Sequence, residues 1–423
     1  MSTATICTEI TTRRMIYILL SAFMFAYFFA QAMSISLLSI WFKGPLQLTG
    51  EQTGIVFSAN FIAAMISQPI YGFVSDKIGM RKHVLWFLAL MVAGCGIFFS
   101  QVYEPLLRTN LLFGAVLGGA YLGLTFIAGS FALESYTDRL GRHYGFEFSR
   151  VRLWGSLGFA CAAFFSGTLF NINPMINFAL ASAAGVILIP LIFFLRPATS
   201  GEPFENSKRL KLTDSLSILK LPKFWGYMVL ILGVTNLYLV YDQQFPAYYA
   251  SQFNDVAQGR AMFGHLNSAQ IFVEAAGLFV APWIVRHVGI KRSLLLASGI
   301  MIFRITGSGL VTGPVPISAM KMLHSLELPI LVVANFKYIA NHFESRLAST
   351  IYMVGVSFGH SLGIAFLSPI AGRAYDHIGF ANTYLCIGAL ALIFWLWSWF
   401  SLARDKKPDA RIDGNLSSES EAF

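Results

Sequence analysis

The stretch "PIYGFVSDKIGMRK", residues 69–82, runs from a proline through two glycines to a cationic end, and it recurs. "PWIVRHVGIKR" at 282–292 repeats the ending, with Gly289 lying 210 residues beyond Gly79, about half of the 423-residue chain. "PIAGRAYDHIG" at 369–379 matches the first copy at Pro, Ile, Gly, Asp, Ile and Gly. Working outward from these turns, apolar runs of about eighteen residues or more recur along the whole chain, each able to cross a ~30 Å hydrocarbon layer. Twelve spans are predicted, over 15–41, 51–74, 83–102, 109–137, 147–170, 174–195, 222–251, 259–286, 292–312, 314–341, 346–373 and 381–403.

Composition agrees. Hydrophobic residues make up 56% of the chain and charged residues 12%, where a soluble protein carries roughly twice that share of charge. Arg13 and Arg14 lead straight into the first span without a small-residue cleavage site, so no signal peptide is expected. The four cysteines are scattered, without metal-ligand spacing, and read as packing residues. No metal or cofactor is expected. The net charge of +9 does not point to nucleic acid, because 23 of the 30 Lys and Arg gather at the termini and the even-to-odd connections. Only Lys43, Arg108, Arg260 and Arg373 fall on the opposite face. By the positive-inside bias both termini are cytoplasmic.

On this topology the copies ending at Gly79 and Gly289 share a face, which implies two parallel halves. The third copy falls on the other face, which implies inverted three-helix units within the halves. That logic resembles the repeat pattern of major facilitator transporters. The expected fold is an all-α membrane protein of twelve transmembrane helices in two pseudo-symmetric six-helix bundles. The first bundle is residues 1–195, followed by a cytoplasmic linker, 196–221. The second bundle is 222–403, and 404–423 is a polar, disordered cytoplasmic tail. In the first copy Gly72, Asp76, Gly79, Arg81 and Lys82 form a gating motif. Asp76 can cap a helix end, while Arg81 and Lys82 anchor at the cytoplasmic interface.

Ionisable groups within the spans are few: Glu134, Arg152, Asp242, Glu274, Arg304, Lys321, His324, Glu327 and His360. A charge at a helix centre costs ~2.5–3.5 kcal/mol on insertion scales, so such residues face a cavity and act there. Four carboxylates stand against three permanent cations, Arg152, Arg304 and Lys321. If all pair, one carboxylate is left over, and an unpaired carboxylate in a low-dielectric site takes a proton. In "KMLHSLE", 321–327, Lys321, His324 and Glu327 drift by only about 60° per step and share one helix face. Glu327 is the expected leftover. In "FEFSRVRLWGSLGF", 146–159, Arg152 precedes Trp154 by two residues and Phe159 by seven. A guanidinium fork suits sugar hydroxyls and an aromatic face suits the apolar face of a pyranose.

These residues resemble those of the oligosaccharide:H⁺ symporter family of the major facilitator superfamily, the group of lactose, melibiose, raffinose and sucrose permeases. The similarity runs over nearly the whole chain, through "GFVSDKIGMRK", "YEPLL", "FEFSRVR", "YDQQF", "KMLHSLELP" and "FKYIANHFESRLASTIY". The resemblance implies that Glu134 and Arg152 recognise sugar, with Phe159 where lactose permease has a stacking tryptophan. It implies that Tyr238, His324 and Glu327 form the proton-coupling group, with Arg304 as cationic partner. His324 also reaches the substrate, and Asp242 and Lys321 form a structural salt bridge. The chain departs from lactose permease where Ile271 replaces the acid of the eighth span and Glu274 lies three residues on. A charged pair between the seventh and eleventh spans is replaced by Leu239 and His360. Sucrose permease is similar in the first respect and in "WGSLGF".

The expected function is a monomeric symporter importing a disaccharide with a proton, with galactosides such as melibiose or lactose favoured because Glu134 keeps the longer acid side chain. Sucrose is the alternative. A drug/H⁺ antiporter would share the fold, but the polar residues of spans four, five, seven, eight and ten argue against its apolar cavity. No enzyme constellation appears: there is no metal spacing, nucleophile elbow or phosphate loop.

Overall fold

Within hydrocarbon a backbone N–H or C=O has no water to bond to, so a chain this apolar satisfies its main chain inside helices. The computed structural model describes residues 3–196, 220–343, 351 and 358–405, and every regular element among them is helical. The spans are α1 (Thr12–Lys43), α2 (Gly50–Ser75), α3 (His83–Ala93 and Cys95–Thr109, bent by 44°), α4 (Leu111–Tyr144), α5 (Phe148–Ile172) and α6 (Pro174–Phe194). They continue as α7 (Pro222–Ala250), α8 (Val256–Val288), α9 (Ile290–Leu310), α10 (Pro314–His342) and Gly359–Ser401. In the last, Gly379 adopts φ 79°, ψ 169° and divides α11 from α12. These correspond to the predicted spans. Most of the eleventh span before residue 358, nearly all of the linker and the tail beyond 405 lie outside the described residues.

The third span is longer than predicted. It continues through "YEPLL" to Thr109, with Pro105 inside the helical run. A π-helical turn, Phe98–Tyr103, carries the chain into it. The connections that follow are short and capped. Asn110 accepts from the N–H of Phe113, Asn173 from that of Met175, and Asp255 from that of Ala257.

An even number of crossings brings the start of α1 and the end of α12 to one end of the bundle, the terminus end, and at the opposite, distal end the two sets of six helices are clamped together. There α2 packs on α11 and α5 on α8. Backbones meet where side chains are smallest, Gly50 against Gly372 and Gly54 against Ser368, the way helices associate in lipid. The Asp376 carboxylate accepts from the N–H groups of Gly50 (2.7 Å) and Glu51 (2.8 Å), placing a negative charge at the N-terminus of α2. Asn171 donates to the Ala257 carbonyl at 2.6 Å, and Lys43 lies 4.2 Å from the Phe380 ring centre. A Cβ on Gly372 would overlap the Gly50 carbonyl. Gly372→Leu is therefore expected to pry this end open. An impermeant maleimide applied from the distal side should then label Ser58→Cys severalfold faster than in the parent, and unchanged labelling would show that the contact does not hold the end shut.

At the terminus end, Gly79 takes φ 64°, ψ −129°, a conformation only glycine enters freely. Lys82 lies against the end of α6. Its ammonium donates to the carbonyls of Ile192 (2.7 Å) and Leu195 (2.8 Å) at the C-terminal end of α6, where a cation meets the negative end of the helix. Arg139 and Tyr136 of α4 bond the carbonyls of Ser75 and Met80. These contacts stay within the first six helices. Gly72 has open space around it and Arg81 is exposed, while the Asp76 side chain lies outside what the structure describes.

Candidate functional site

Two clusters of charge occupy the interior, one in each set of six helices. In the first, α4 contains a π-helical turn at Gly123–Ile127, and Glu134 follows seven residues later. Arg152 of α5 donates from Nε to Glu134 Oε1 at 2.6 Å and from Nη1 to Ser156 Oγ at 3.2 Å. Its guanidinium carbon lies 4.1 Å from the ring centre of Phe28 on α1, a cation–π arrangement that fixes the plane of the fork. The pair is not sealed: the Arg152 and Glu134 side chains keep 32% and 26% of their surface. Phe159, nearly two full turns from Arg152, lies on its side of α5 and is half-buried. Trp154 lies about 200° around the helix from Arg152 and faces outward between α1 and α6.

The second cluster repeats the pattern. A π-helical turn in α7, Ile231–Thr235, precedes Asp242 by the same seven residues, and such turns re-aim the side chains that follow. Asp242 Oδ1 accepts from Lys321 Nζ of α10 at 2.9 Å and lies 3.5 Å from Arg304 Nη1 of α9. Arg304 Nη2 stands 2.9 Å from Glu327 Oε1, and both side chains are wholly buried. Among the described residues none of the Arg304 N–H groups is aligned for a hydrogen bond, so the contact is ionic. Tyr238 and Tyr241 place their rings 4.7 and 5.0 Å from the guanidinium. His324 Nδ1 lies 3.0 Å from Glu327 Oε1, and the Tyr238 hydroxyl is 2.7 Å from Nδ1 and 3.1 Å from Nε2. A neutral imidazole can donate from Nδ1 to Glu327 Oε1 while Nε2 accepts from the Tyr238 hydroxyl.

The helix carrying "KMLHSLE" is interrupted at Leu323, between segments Pro314–Met322 and His324–His342. Lys321, His324 and Glu327 nonetheless reach the same cluster. The leftover carboxylate is not Glu327. Arg304 holds it, while Glu274 on α8 makes no ion pair within 4.0 Å among the described residues. Glu274 stands one turn along α8 from Gln270 and within electrostatic reach of Lys321 and Arg152, one from each cluster. Spacing along α10 shows which of its own residues share a face, but not which cation α9 brings to them. Glu327 Oε2 is buried without a hydrogen-bond partner among the described residues. His360 is likewise placed with an unpartnered Nε2.

The chain matches the LacY proton/sugar symporter family over residues 9–411. It belongs to that family. It is 36% identical to the raffinose permease of Escherichia coli over 387 residues, covering 90% of this chain and 91% of the relative. It is 34% identical to the sucrose permease of Escherichia coli, covering 94% and 96% of the two chains. It is 37% identical to the melibiose permease of Enterobacter cloacae, covering 90% and 91%. Among solved structures, the nucleoside transporter NupG superposes with a TM-score of 0.79 at 14% identity, covering 91% of this chain and 98% of that one. That likeness concerns the fold. This family member is a multi-pass membrane transporter and not an enzyme.

Some of its site residues were not singled out from sequence. Phe28 hides in the aromatic run "FAYFF", where every ring looks alike. Tyr241 was recoverable, since with Tyr238 and Phe245 it keeps helical spacing around Asp242. Ser156 and Gln270 carry no sequence signal beyond being polar in an apolar span.

Proposed function

We propose that the chain is a disaccharide/H⁺ symporter of the inner membrane, working as a monomer by alternating access between the two six-helix bundles, with both termini cytoplasmic. The observation that carries this is the contrast between the clusters. Glu134 and Arg152 pair yet stay accessible, at 26% and 32%, as a site for hydroxyl groups must. Arg304 and Glu327 pair at 0% exposure, as a site that takes a proton without admitting water must. Glu274, within electrostatic reach of both, is the natural contact for a sugar that bridges them.

In this reading the distal clamp makes the present state inward-facing. The Arg304–Glu327 contact then belongs to the state after proton release, in which the guanidinium stabilises the carboxylate. Outward opening separates them, Glu327 is protonated, and the neutral acid permits tight sugar binding by Glu134, Arg152, Glu274 and His324, with Phe159 against the ring. Inward opening restores the pair and expels the proton. Asp242 and Lys321 tie α7 to α10 throughout, and the loop ending at Arg81 and Lys82 gates the terminus end.

A galactoside such as melibiose or lactose is the favoured substrate, on the long acid side chain of Glu134. Sucrose is the second reading, supported by Glu274 in place of an acid at Ile271. A panel of radiolabelled disaccharides offered to proton-energised vesicles tests both. One disaccharide should accumulate, and an uncoupler should abolish the accumulation; accumulation that survives the uncoupler would reject proton coupling.

A further inference from the structure

Two features on the outside of the first six helices play no part in transport as described. One is a groove of about 770 Å³ between α1, α5 and α6, lined almost wholly by apolar atoms. It runs from Tyr17 to Phe29 along α1 and from Leu191 back to Leu180 along α6, with Trp154 of α5 on its wall. At 1.5 Å per residue it extends roughly 16–18 Å, about one leaflet of a ~30 Å hydrocarbon layer. Ile18 and Ile187 on its rim are more than half exposed, so it opens to the surroundings and not to the interior. The other feature is a cleft of about 540 Å³ at the terminus end, lined by Arg13, Arg14, Arg150, Glu147 and again Tyr17. Arg13 also donates to the Gly145 carbonyl, and Arg150 bonds Glu147 at 3.1 Å. Three arginines against one glutamate leave the cleft cationic.

An apolar groove on a membrane protein says little by itself, and neither does a basic patch at the interface. Here the two meet at Tyr17. The groove ends where the hydrocarbon ends, and the arginines begin there, at headgroup depth. We propose that this is a binding site for an anionic phospholipid in the leaflet on the terminus side. One acyl chain lies along α1 and α6 past Trp154, and the phosphate rests on Arg13, Arg14 and Arg150. A zwitterionic lipid would fill the groove equally well, but it would bring its own ammonium against the arginines and bind less tightly.

The test uses delipidated full-length protein titrated with phosphatidylglycerol or phosphatidylethanolamine of the same acyl chains, followed by native mass spectrometry. The first phosphatidylglycerol should bind severalfold more tightly than phosphatidylethanolamine. Arg14→Gln with Arg150→Gln should weaken it by about tenfold or more, towards the phosphatidylethanolamine value. Ala183→Phe, which fills the groove without touching the charge, should weaken both lipids. Phosphatidylglycerol brominated along its chain should quench the fluorescence difference between the parent and Trp154→Phe. Equal affinity for the two lipids overturns the proposal, as does a preference untouched by removing the arginines. Indifference to Ala183→Phe, or no quenching of Trp154, also overturns it, because the chain would then lie elsewhere.

Discussion

Glu327→Gln is expected to abolish uphill accumulation of sugar while leaving exchange of sugar across the membrane intact. The amide keeps the shape of the protonated acid and its place beside His324, but has no proton to release. The loaded carrier can still reorient with sugar on board, so labelled sugar inside still exchanges for unlabelled sugar outside. What fails is the step in which the carboxylate reforms against Arg304, now 2.9 Å away with both groups wholly buried. Without that partner the guanidinium keeps only Asp242, at 3.5 Å and shared with Lys321, so its burial is under-compensated and the unloaded carrier does not return. The size of the loss follows from the driving force. One charge moved through 100 mV is worth about 2.3 kcal/mol, or roughly 50-fold accumulation, all of which the variant should forfeit. Counterflow and accumulation assays on the same vesicles separate the two outcomes. Normal accumulation in this variant would remove Glu327 from the coupling role.

The second large effect is expected at the first cluster. Arg152→Lys keeps the charge but loses the fork that bonds Glu134 and Ser156 together, and the flat face that lies on Phe28. Glu134→Gln keeps the shape but turns a charged acceptor into a neutral one. A hydrogen bond to a charged group contributes about 1.5–3 kcal/mol, so losing two of them weakens sugar binding by about 100-fold or more. Direct binding by calorimetry, or protection of a nearby engineered cysteine by sugar, reads this without transport. Affinity unchanged in both variants would reject the pair as the sugar contact. Because the site is partly exposed, neither variant should unfold the protein, and its melting temperature serves as the control.

Much of this architecture was legible before any coordinates, and the reasons are physical. Lipid leaves the backbone few options, so span number followed from apolar run length, and the repeat of "PIYGFVSDKIGMRK" followed from its glycines and cations. The charged residues of the interior were legible because each is costly there and so stands out. Boundaries were harder to read. The third span was predicted to end at 102, yet the helix runs on through "YEPLL" to Thr109. The partner of each charge was hardest. The charge count made Glu327 the leftover carboxylate even though the family resemblance set Arg304 beside it; the packing of α9 against α10 pairs these two and leaves Glu274 without an ion pair among the described residues. The partner of Lys82 was out of reach in the same way, because its target is the end of α6, far away in sequence.

In the proposed cycle a proton crosses with each sugar because a buried carboxylate must be neutral for the sugar to pass. The most direct measurement is the pH of a lightly buffered, de-energised suspension of cells making the protein, recorded as a transported disaccharide is added. The medium should turn alkaline as sugar enters, and should stay unchanged with Glu327→Gln. Sugar entry without any alkalinisation would contradict the claim.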